Sequence, residues 1–483
     1  MRGELGTLLR QSWVAMGDRT SIIDGREIWS GRQLLARAEM IGRSLRSESL
    51  GADEPVAVYV SNAAEDFAAF LAVWSAGGVV VPIHRGAPQG ASAPLLAAAG
   101  VRFLVDGRDS EATVAGMTAP PPDPALADGA VVIFTSGSTG EPKGVCLSHK
   151  ALAEKLRNNQ SLFRLDEHDR TLLILQITFS FGLWVSLLTL IRQAVLVVKP
   201  RFILADILET FVSEAITRSA MVPSMLRVLA AEAGRPEIAA ALGAVNRGRR
   251  LAQIFTGGEV YGAALASAMR DILPNTQVTN IFGLSETCTS DFVLSPADAK
   301  LRPGSIGRAA PGVRYRLVDK DLRPVPPGEI GELQITTTTI MSGYLGQPAL
   351  TEKSFADGYF CTGDLARQWP EGIIEVVGRA KEVIIRGANK IYPQEIEQIF
   401  EAHPQVERAL ATGVPDALLG ERIHIAVVPA PGTDVDTAVL RAWAAEKLDR
   451  FKLPDAVHVL EELPVGRTGK ADRSALRRKI AAG

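Results

Sequence analysis

Short apolar runs alternate with stretches of helical periodicity along the first third of the chain. Val56–Val60 is a continuous apolar run of strand length. In Glu65–Ala76, Phe67, Phe70, Leu71 and Trp74 fall at helical spacing. Val79–Val81 and Val101–Val105 predict two more strands with a helix between them. Strand, helix and strand in this order predict βαβ units and a parallel sheet. Gly107–Gly129 is rich in Ala and Pro, with Pro120–Pro122 in a run, and predicts a surface connector.

A second alternating set follows, with strand-like runs at Ala130–Phe134, Thr171–Leu175, Ala194–Val198, Ala220–Val222, Leu251–Phe255 and Gln277–Ile281. From Ile306 to Tyr344 the runs shorten and turns such as Pro324–Gly328 carry Pro and Gly, which predicts a small β subdomain. After Gly378 the texture changes again. Lys381–Arg386 and Ile423–Val428 read as strands, Pro393–Phe400 and Thr437–Leu448 as helices. This predicts a compact α+β module of about 100 residues. The expected fold is α/β, a large N-terminal domain of βαβ-built sheets with a small β subdomain, followed by a small α+β domain.

Composition agrees with this division. A chain of 483 residues exceeds the usual single domain and predicts roughly two to four domains or subdomains. Hydrophobic residues at 47% and charged residues at 22% are ordinary for a soluble globular protein. The formal net charge is -2 without a block of one sign, which argues against a nucleic-acid or anionic-membrane surface. Arg247–Arg250 and Arg477–Lys479 are short and read as solvated surface. Cys146, Cys288 and Cys361 are too scattered for a disulfide framework or a zinc spacing, so a cytoplasmic location is expected. Met1–Arg10 lacks the apolar segment of a secretory signal. The most apolar stretch, Leu183–Val198, is interrupted by Arg192 and Gln193 and is too short to span a bilayer.

The first candidate chemistry lies in Thr135–Val145, directly after the run Ala130–Phe134. Gly137, Gly140 and Gly144 allow backbone conformations that aim N–H groups into one concavity. Thr135, Ser136, Ser138 and Thr139 add hydroxyl donors, and Lys143 adds a positive charge. Such a loop suits phosphate oxygens. It is not a P-loop, because Pro142 precedes Lys143 and Gly144 follows it. A plain Gly/Ser turn is the alternative.

The loop resembles the phosphate-binding signature of the adenylate-forming superfamily, which includes acyl- and aryl-CoA synthetases, peptide-synthetase adenylation domains and firefly-type luciferases. Six further segments carry the same resemblance and stand along the chain in the family's order. Phe282-Gly-Leu-Ser-Glu286 implies adenine stacking by Phe282 and Mg²⁺ binding by Glu286, a hard oxygen ligand. Asn280, Gly283 and Ser285 belong to the same implied nucleotide surface. Gly257-Gly258-Glu259 is similar to the family segment that passes the adenine. Thr362-Gly-Asp364 implies a carboxylate on the ribose hydroxyls. Gly378-Arg-Ala-Lys381 implies a ribose contact from Arg379 and a hinge at Lys381. Pro464-Val-Gly-Arg-Thr-Gly-Lys470 resembles the loop of the family's catalytic lysine, so Lys470, Glu286 and Thr139 are the implied catalytic residues. Arg386–Glu397 looks like the family's C-terminal loop and helix entry, with Gly387-Ala388 where many CoA-forming members have Gly-Gly. The resemblance implies a large domain over residues 1–380 and a small mobile domain over 381–483.

Ile177–Trp184 stands where the family places its acyl-binding helix, and Phe179 at its gating aromatic. Ser180 occupies the position where amino-acid-activating domains carry Asp, and a hydroxyl would not compensate a buried ammonium. An α-amino acid substrate is therefore disfavoured. Phe181, Trp184, Met221, Phe255, Gly257 and Ile281 could line a pocket for an aryl or modest aliphatic acid, or the aromatic and apolar ones could be core packing. Ser148 is expected to cap a helix and His149 to be structural.

The implied activity is ATP- and Mg²⁺-dependent conversion of a carboxylic acid to acyl-AMP, then transfer to the thiol of CoA. Transfer to the phosphopantetheine thiol of an acyl carrier protein in trans is the alternative. Luciferase-like oxygenation has only kinship behind it. Non-catalytic ATP binding sits poorly with Lys470, Glu286 and Asp364 all present.

Overall fold

A computed structural model describes residues 3–25, 27–109, 112–114, 123–136, 142–387, 389–416, 418–465 and 471–482. Among these residues the strands gather into four sheets. One runs, edge to edge, Arg308–Ala309, Phe292–Leu294, Gln277–Phe282, Gln253–Gly257, Arg218–Met221, Arg170–Leu173, Val195–Val198, Thr20–Asp24 and Glu27–Ser30. A second runs Gly343–Tyr344, Pro142–Ser148, Gly129–Ser136, Val79–His84, Pro55–Val60, Phe103–Asp106 and Ala112–Val114. Their central strands pair in parallel, as the βαβ pattern predicts. Pro55–Val60 is apolar throughout because both faces of a covered parallel sheet are buried.

The helices Ala64–Ala76, His149–Phe163 and Ser180–Ile191 share one core with strands of both sheets. Trp13, Phe67, Phe70, Trp74 and Trp184 fill it. Asn62 ties the sheets together: its amide donates to Leu175 O at 3.0 Å and accepts from Ile177 N at 3.2 Å. That link fixes the segment leading to Phe179 and Ser180.

The third sheet combines Val313–Val318, Ile330–Thr337, Tyr359–Gln368, Phe355–Ala356 and Ile374–Arg379. The predicted β subdomain is thus shifted. Arg308–Ala309 joins the first sheet and Gly343–Tyr344 the second, while Ile374–Arg379 belongs to the third. Short strands beside turns carry no mark of which sheet edge they will complete. The predicted connector also contains a strand, Ala112–Val114, on the edge of the second sheet.

The fourth sheet consists of Asn389–Ile391, Ile384–Arg386, Gly420–Pro429, Val406–Asp416 and Ala456–Val459. It packs on Pro393–Glu401 and Thr437–Ala445 around its own core of Ile384, Ile391, Ile396, Phe400, Ile423, Ile425 and Leu440. The architecture is a large α/β N-terminal part with a small α+β C-terminal part. Among the described residues no helix is long and apolar enough to cross a membrane. Cys146, Cys288 and Cys361 are free thiols.

Candidate nucleotide and acyl site

Gly129–Ser136 and Pro142–Ser148 form an antiparallel hairpin that places Thr135 opposite Lys143 and Phe134 opposite Gly144. Gly137, Ser138, Thr139 and Gly140, at the tip, lie outside the described residues. Gly144 has a packing role: a β-carbon there would stand 3.0 Å from Val132 and 3.1 Å from Leu345. Ser148 caps the next helix by accepting from Ala151 N at 3.1 Å. His149 is buried edge-on against Trp74, and burial lowers its pKa.

The Lys143 ammonium lies 5.4 Å from the ring centre of Tyr344. The Tyr344 hydroxyl donates to Glu286 Oε1 at 2.8 Å. The strand Gly343–Tyr344 reaches both because Tyr344 pairs with Val145 on the hairpin. Burial, and then the Glu286 carboxylate, push the Tyr344 hydroxyl well above its ordinary pKa, so it stays a donor. Tyr344 joins the candidate phosphate hairpin to the candidate metal ligand. Nothing in its local sequence marked it, since a lone Tyr after Gly is common in turns.

Glu286 sits in the short 3₁₀ turn Ser285–Thr287, just past the strand Gln277–Phe282. Gly283 is obligatory there, because a β-carbon would meet Ser290 N at 2.4 Å. Cys288, Thr289 and Ser290 follow with φ of 59°, 59° and 55°. Three consecutive non-glycine residues in the left-handed region cost about 1–2 kcal/mol each and persist only under tight constraint. Phe282 packs edge-on against Phe292 at 6.0 Å, and buried Asn280 reaches Ser305 O at 3.5 Å.

The parallel strand Gln253–Gly257 ends beside Gln277–Phe282, and ligands of such sheets bind outside the carboxyl ends of the strands. A β-carbon on Gly257 would be 2.2 Å from Ile281 O, so these strand ends approach only with glycine present. Gly258 adopts φ +82°. The Glu259 side chain turns away to Ser224 at 2.9 Å and Arg227 at 2.6 Å, so this segment offers the site its backbone.

Phe255, Gly257 and Ile281 occupy one face of the sheet, the face that packs on Trp184. Trp184 lies between Phe181 and Phe163, centres 5.9 and 5.8 Å away, with Phe255 tilted against it. Phe163 was not among the predicted residues. Met221 is not brought to this group. Strand alternation turns it to the opposite face, where it packs with Leu226 and Ile254. Phe179 is exposed and Ser180 is buried, its hydroxyl 3.2 Å from that of Ser285. The segment Ile177–Trp184 and the Glu286 turn therefore meet through a pair of neutral hydroxyls.

Asp364 and Arg379 are opposite each other on adjacent strands, and Arg379 Nε lies 2.9 Å from Asp364 Oδ1. Asp364 is buried, Arg379 exposed. Lys381 follows in the turn Ala380–Glu382. Lys470 lies outside the described residues, but the base of its loop is closed by a bridge between Val465 and Ala471 and by Asp472 N donating to Pro464 O at 2.8 Å. Just beyond, Arg473 pairs with Glu397 and, at 2.7 Å, with Glu382. Burial opposes the Arg473 charge, but both carboxylates hold its pKa above the ordinary value. Arg473 thus anchors the helix Arg473–Ala482 to the helix Pro393–Glu401 and to the turn Ala380–Glu382, a role its Arg-rich surroundings had concealed. Two concavities of about 360 and 340 Å³, near Leu208 and Ile238 and near Trp74 and His149, involve none of the candidate nucleotide or acyl residues.

Residues 9–121 and 106–345 match the family model described as AMP-binding enzyme, and residues 395–470 match the one described as AMP-binding enzyme C-terminal domain. The chain is 30% identical to a feruloyl-CoA synthase from Amycolatopsis sp, over 95% of this chain and 96% of that one. It is 31% identical over 96% of its length to the probable non-canonical nonribosomal peptide synthetase CymA of Salinispora arenicola, but spans only 6% of that protein. Among solved structures, o-succinylbenzoate CoA synthetase from Bacillus subtilis, in complex with an acyl-adenylate intermediate, superposes with a TM-score of 0.84 at 25% identity and 97% coverage of both chains.

Proposed function

The chain belongs to the AMP-binding enzyme family, and from that premise we propose that it activates an aryl or short-to-medium aliphatic acid with ATP and transfers the acyl group to coenzyme A. The carboxylate attacks the α-phosphorus of ATP and pyrophosphate leaves. The thiol sulfur then attacks the acyl carbon and AMP leaves. The observation that carries this reading is the Lys143–Tyr344–Glu286 chain, which sets a cation from the phosphate hairpin and a carboxylate from the next sheet against one buried tyrosine.

In this reading Thr135, Ser136, the loop tip and Lys143 hold phosphate oxygens. Phe282 and the backbone of Gly257-Gly258 flank the adenine, with Asn280 beside them, and Asp364 and Arg379 take the ribose. Mg²⁺ in enzymes that bind nucleotides is commonly held by one or two carboxylates together with phosphates and water, so a single Glu286 fits it. When bound, the ion would neutralise phosphate charge. Lys470 would stabilise charge developing at the α-phosphate.

The Ser180–Ser285 pair offers no carboxylate to balance an ammonium group, which supports an acid without an α-amino group. Trp184 and Phe255, 1% and 0% exposed, pack in the shared core, which leaves half-buried Phe181 and exposed Phe179 as the aromatic residues available to an acyl chain. We place the domain boundary near residue 380, with Lys381 as the hinge of a mobile small domain, and the protein in the cytoplasm. A carrier-protein thiol is the second reading, favoured by the similarity to a peptide synthetase over 96% of this chain. Incubation with ATP, Mg²⁺, a panel of acids and CoA, followed by mass spectrometry, tests the reading. Acyl-CoA is expected. Acyl-AMP that accumulates with CoA and is consumed by a carrier protein would move the assignment to the second reading.

A further inference from the structure

We propose that Lys155 is a positioning residue for Glu286: its buried ion pair with Asp291 clamps the strained turn 284–291 to the helix that follows the phosphate hairpin. The inference rests on the nucleotide role proposed for Glu286. Lys155 lies on His149–Phe163, which begins where the hairpin strand Pro142–Ser148 ends. It is 1% exposed, and its ammonium stands 3.0 Å from Oδ1 of fully buried Asp291. Lysine is almost never so buried unless it is paired.

Asp291 closes the turn from inside. Its Oδ2 accepts from Leu284 N at 3.4 Å, before Glu286, and from the Thr287 hydroxyl after it. Its own N–H donates to Phe282 O at 2.8 Å. Asn159, one helical turn beyond Lys155, reaches Ser290 Oγ at 3.4 Å. Ser290 is the last of the three left-handed residues. From the opposite side, Met341 N donates to Glu286 O at 2.7 Å and the Thr339 hydroxyl to Thr287 O at 3.3 Å.

A backbone in this conformation holds only while its surroundings over-determine it. A buried ion pair is a weak source of stability, since apolar residues of similar volume often serve as well. What it provides here is position. It makes the helix behind Lys143 and the turn bearing Glu286 one rigid unit, and so sets the spacing between phosphate and metal ligands.

The test uses the double variant Lys155→Met/Asp291→Asn, which leaves no unpaired charge and keeps a carbonyl for Leu284 and Thr287. The Mg²⁺ concentration for half-maximal ATP–pyrophosphate exchange should rise roughly 10–100-fold, the usual effect of removing a group that orients a metal ligand. Half-saturation by the acid should not move. Calorimetry with a non-hydrolysable ATP analogue should show weaker binding with Mg²⁺ and unchanged binding without it. Asn159→Ala removes only the second tie and should shift the Mg²⁺ requirement in the same direction by a smaller factor, so it decides the matter if the double variant does not fold. Wild-type Mg²⁺ dependence in either folded variant, or equal weakening for acid and nucleotide, would overturn the clamp. A wild-type enzyme without exchange on any acid would defeat the proposed function instead, and the calorimetry would still test the clamp.

Discussion

The turn bearing Glu286 and the junction bearing Arg379 and Lys381 hold charge in opposite ways. Around Glu286 the charges are cross-tied: buried Lys155 pairs with buried Asp291, and half-buried Glu286 accepts from the buried Tyr344 hydroxyl. At the junction Arg379 and Lys381 are exposed, although Arg379 keeps buried Asp364 at 2.9 Å and Glu382 keeps Arg473 at 2.7 Å, and the small part beyond them has a separate core. Buried, fully paired ions fix one geometry. Exposed ones exchange partners with water at little cost. The contrast supports the proposal of a large part that holds the nucleotide and a mobile small part that carries Lys470.

The largest expected effect comes from Lys470→Ala. Acid-dependent pyrophosphate exchange should fall on the order of 10²–10³-fold, while thioester formation from supplied acyl-AMP stays intact. Equal loss of both steps would erase the distinction between the two parts. Arg473→Met leaves Glu397 without its buried cation and should destabilise the small part by about 3 kcal/mol. Hydrogen exchange should then accelerate across residues 384–480 and not across the large sheets. Uniform acceleration would mean that the two cores unfold as one.

A third prediction concerns only the large part. Asp66 accepts from Ser61 N and Ala63 N at 2.8 Å, yet its burial raises its pKa to about 6. The folded state therefore binds a proton more tightly than the unfolded chain. The resulting stability is fully present below the unfolded value near 4 and is lost as pH rises through about 6, a decline of about 3 kcal/mol. Asp66→Asn should flatten that decline in denaturant titrations, and an unchanged slope would assign it elsewhere. The smallest effect is expected from Tyr344→Phe, which removes one hydrogen bond to a carboxylate and keeps the ring beneath Lys143. kcat/KM for ATP should drop about tenfold, whereas a wild-type value would show that the hydroxyl does not orient Glu286.

Much of this was legible in the sequence because it depends on local pattern. Val56–Val60 and Ala130–Phe134 announced strands through apolar runs, and the observed elements Pro55–Val60 and Gly129–Ser136 contain them. Gly257 and Gly283 stood in recognisable motifs because contacts of 2.2 and 2.4 Å to neighbouring backbone admit no side chain. The placement of Met221 failed because the register that sets Ala220, and not Met221, beside Phe255 is not written in either strand's own run. What stayed hidden is long-range. Lys155 and Asp291 are 136 positions apart, and Arg473 and Glu397 are 76 apart. Each looks like an ordinary surface charge until the fold buries it. The strand Val406–Asp416 escaped because Glu407, Arg408, Gly413 and Pro415 interrupt its apolar run.

Acid-dependent ATP–pyrophosphate exchange tests the central claim most directly. With a panel of aryl and short-to-medium aliphatic acids, exchange is expected for at least one acid, with an absolute need for Mg²⁺ and a loss of on the order of 10²–10³-fold in Glu286→Gln. ATP binding without exchange on any acid, or exchange indifferent to Glu286→Gln, would contradict it.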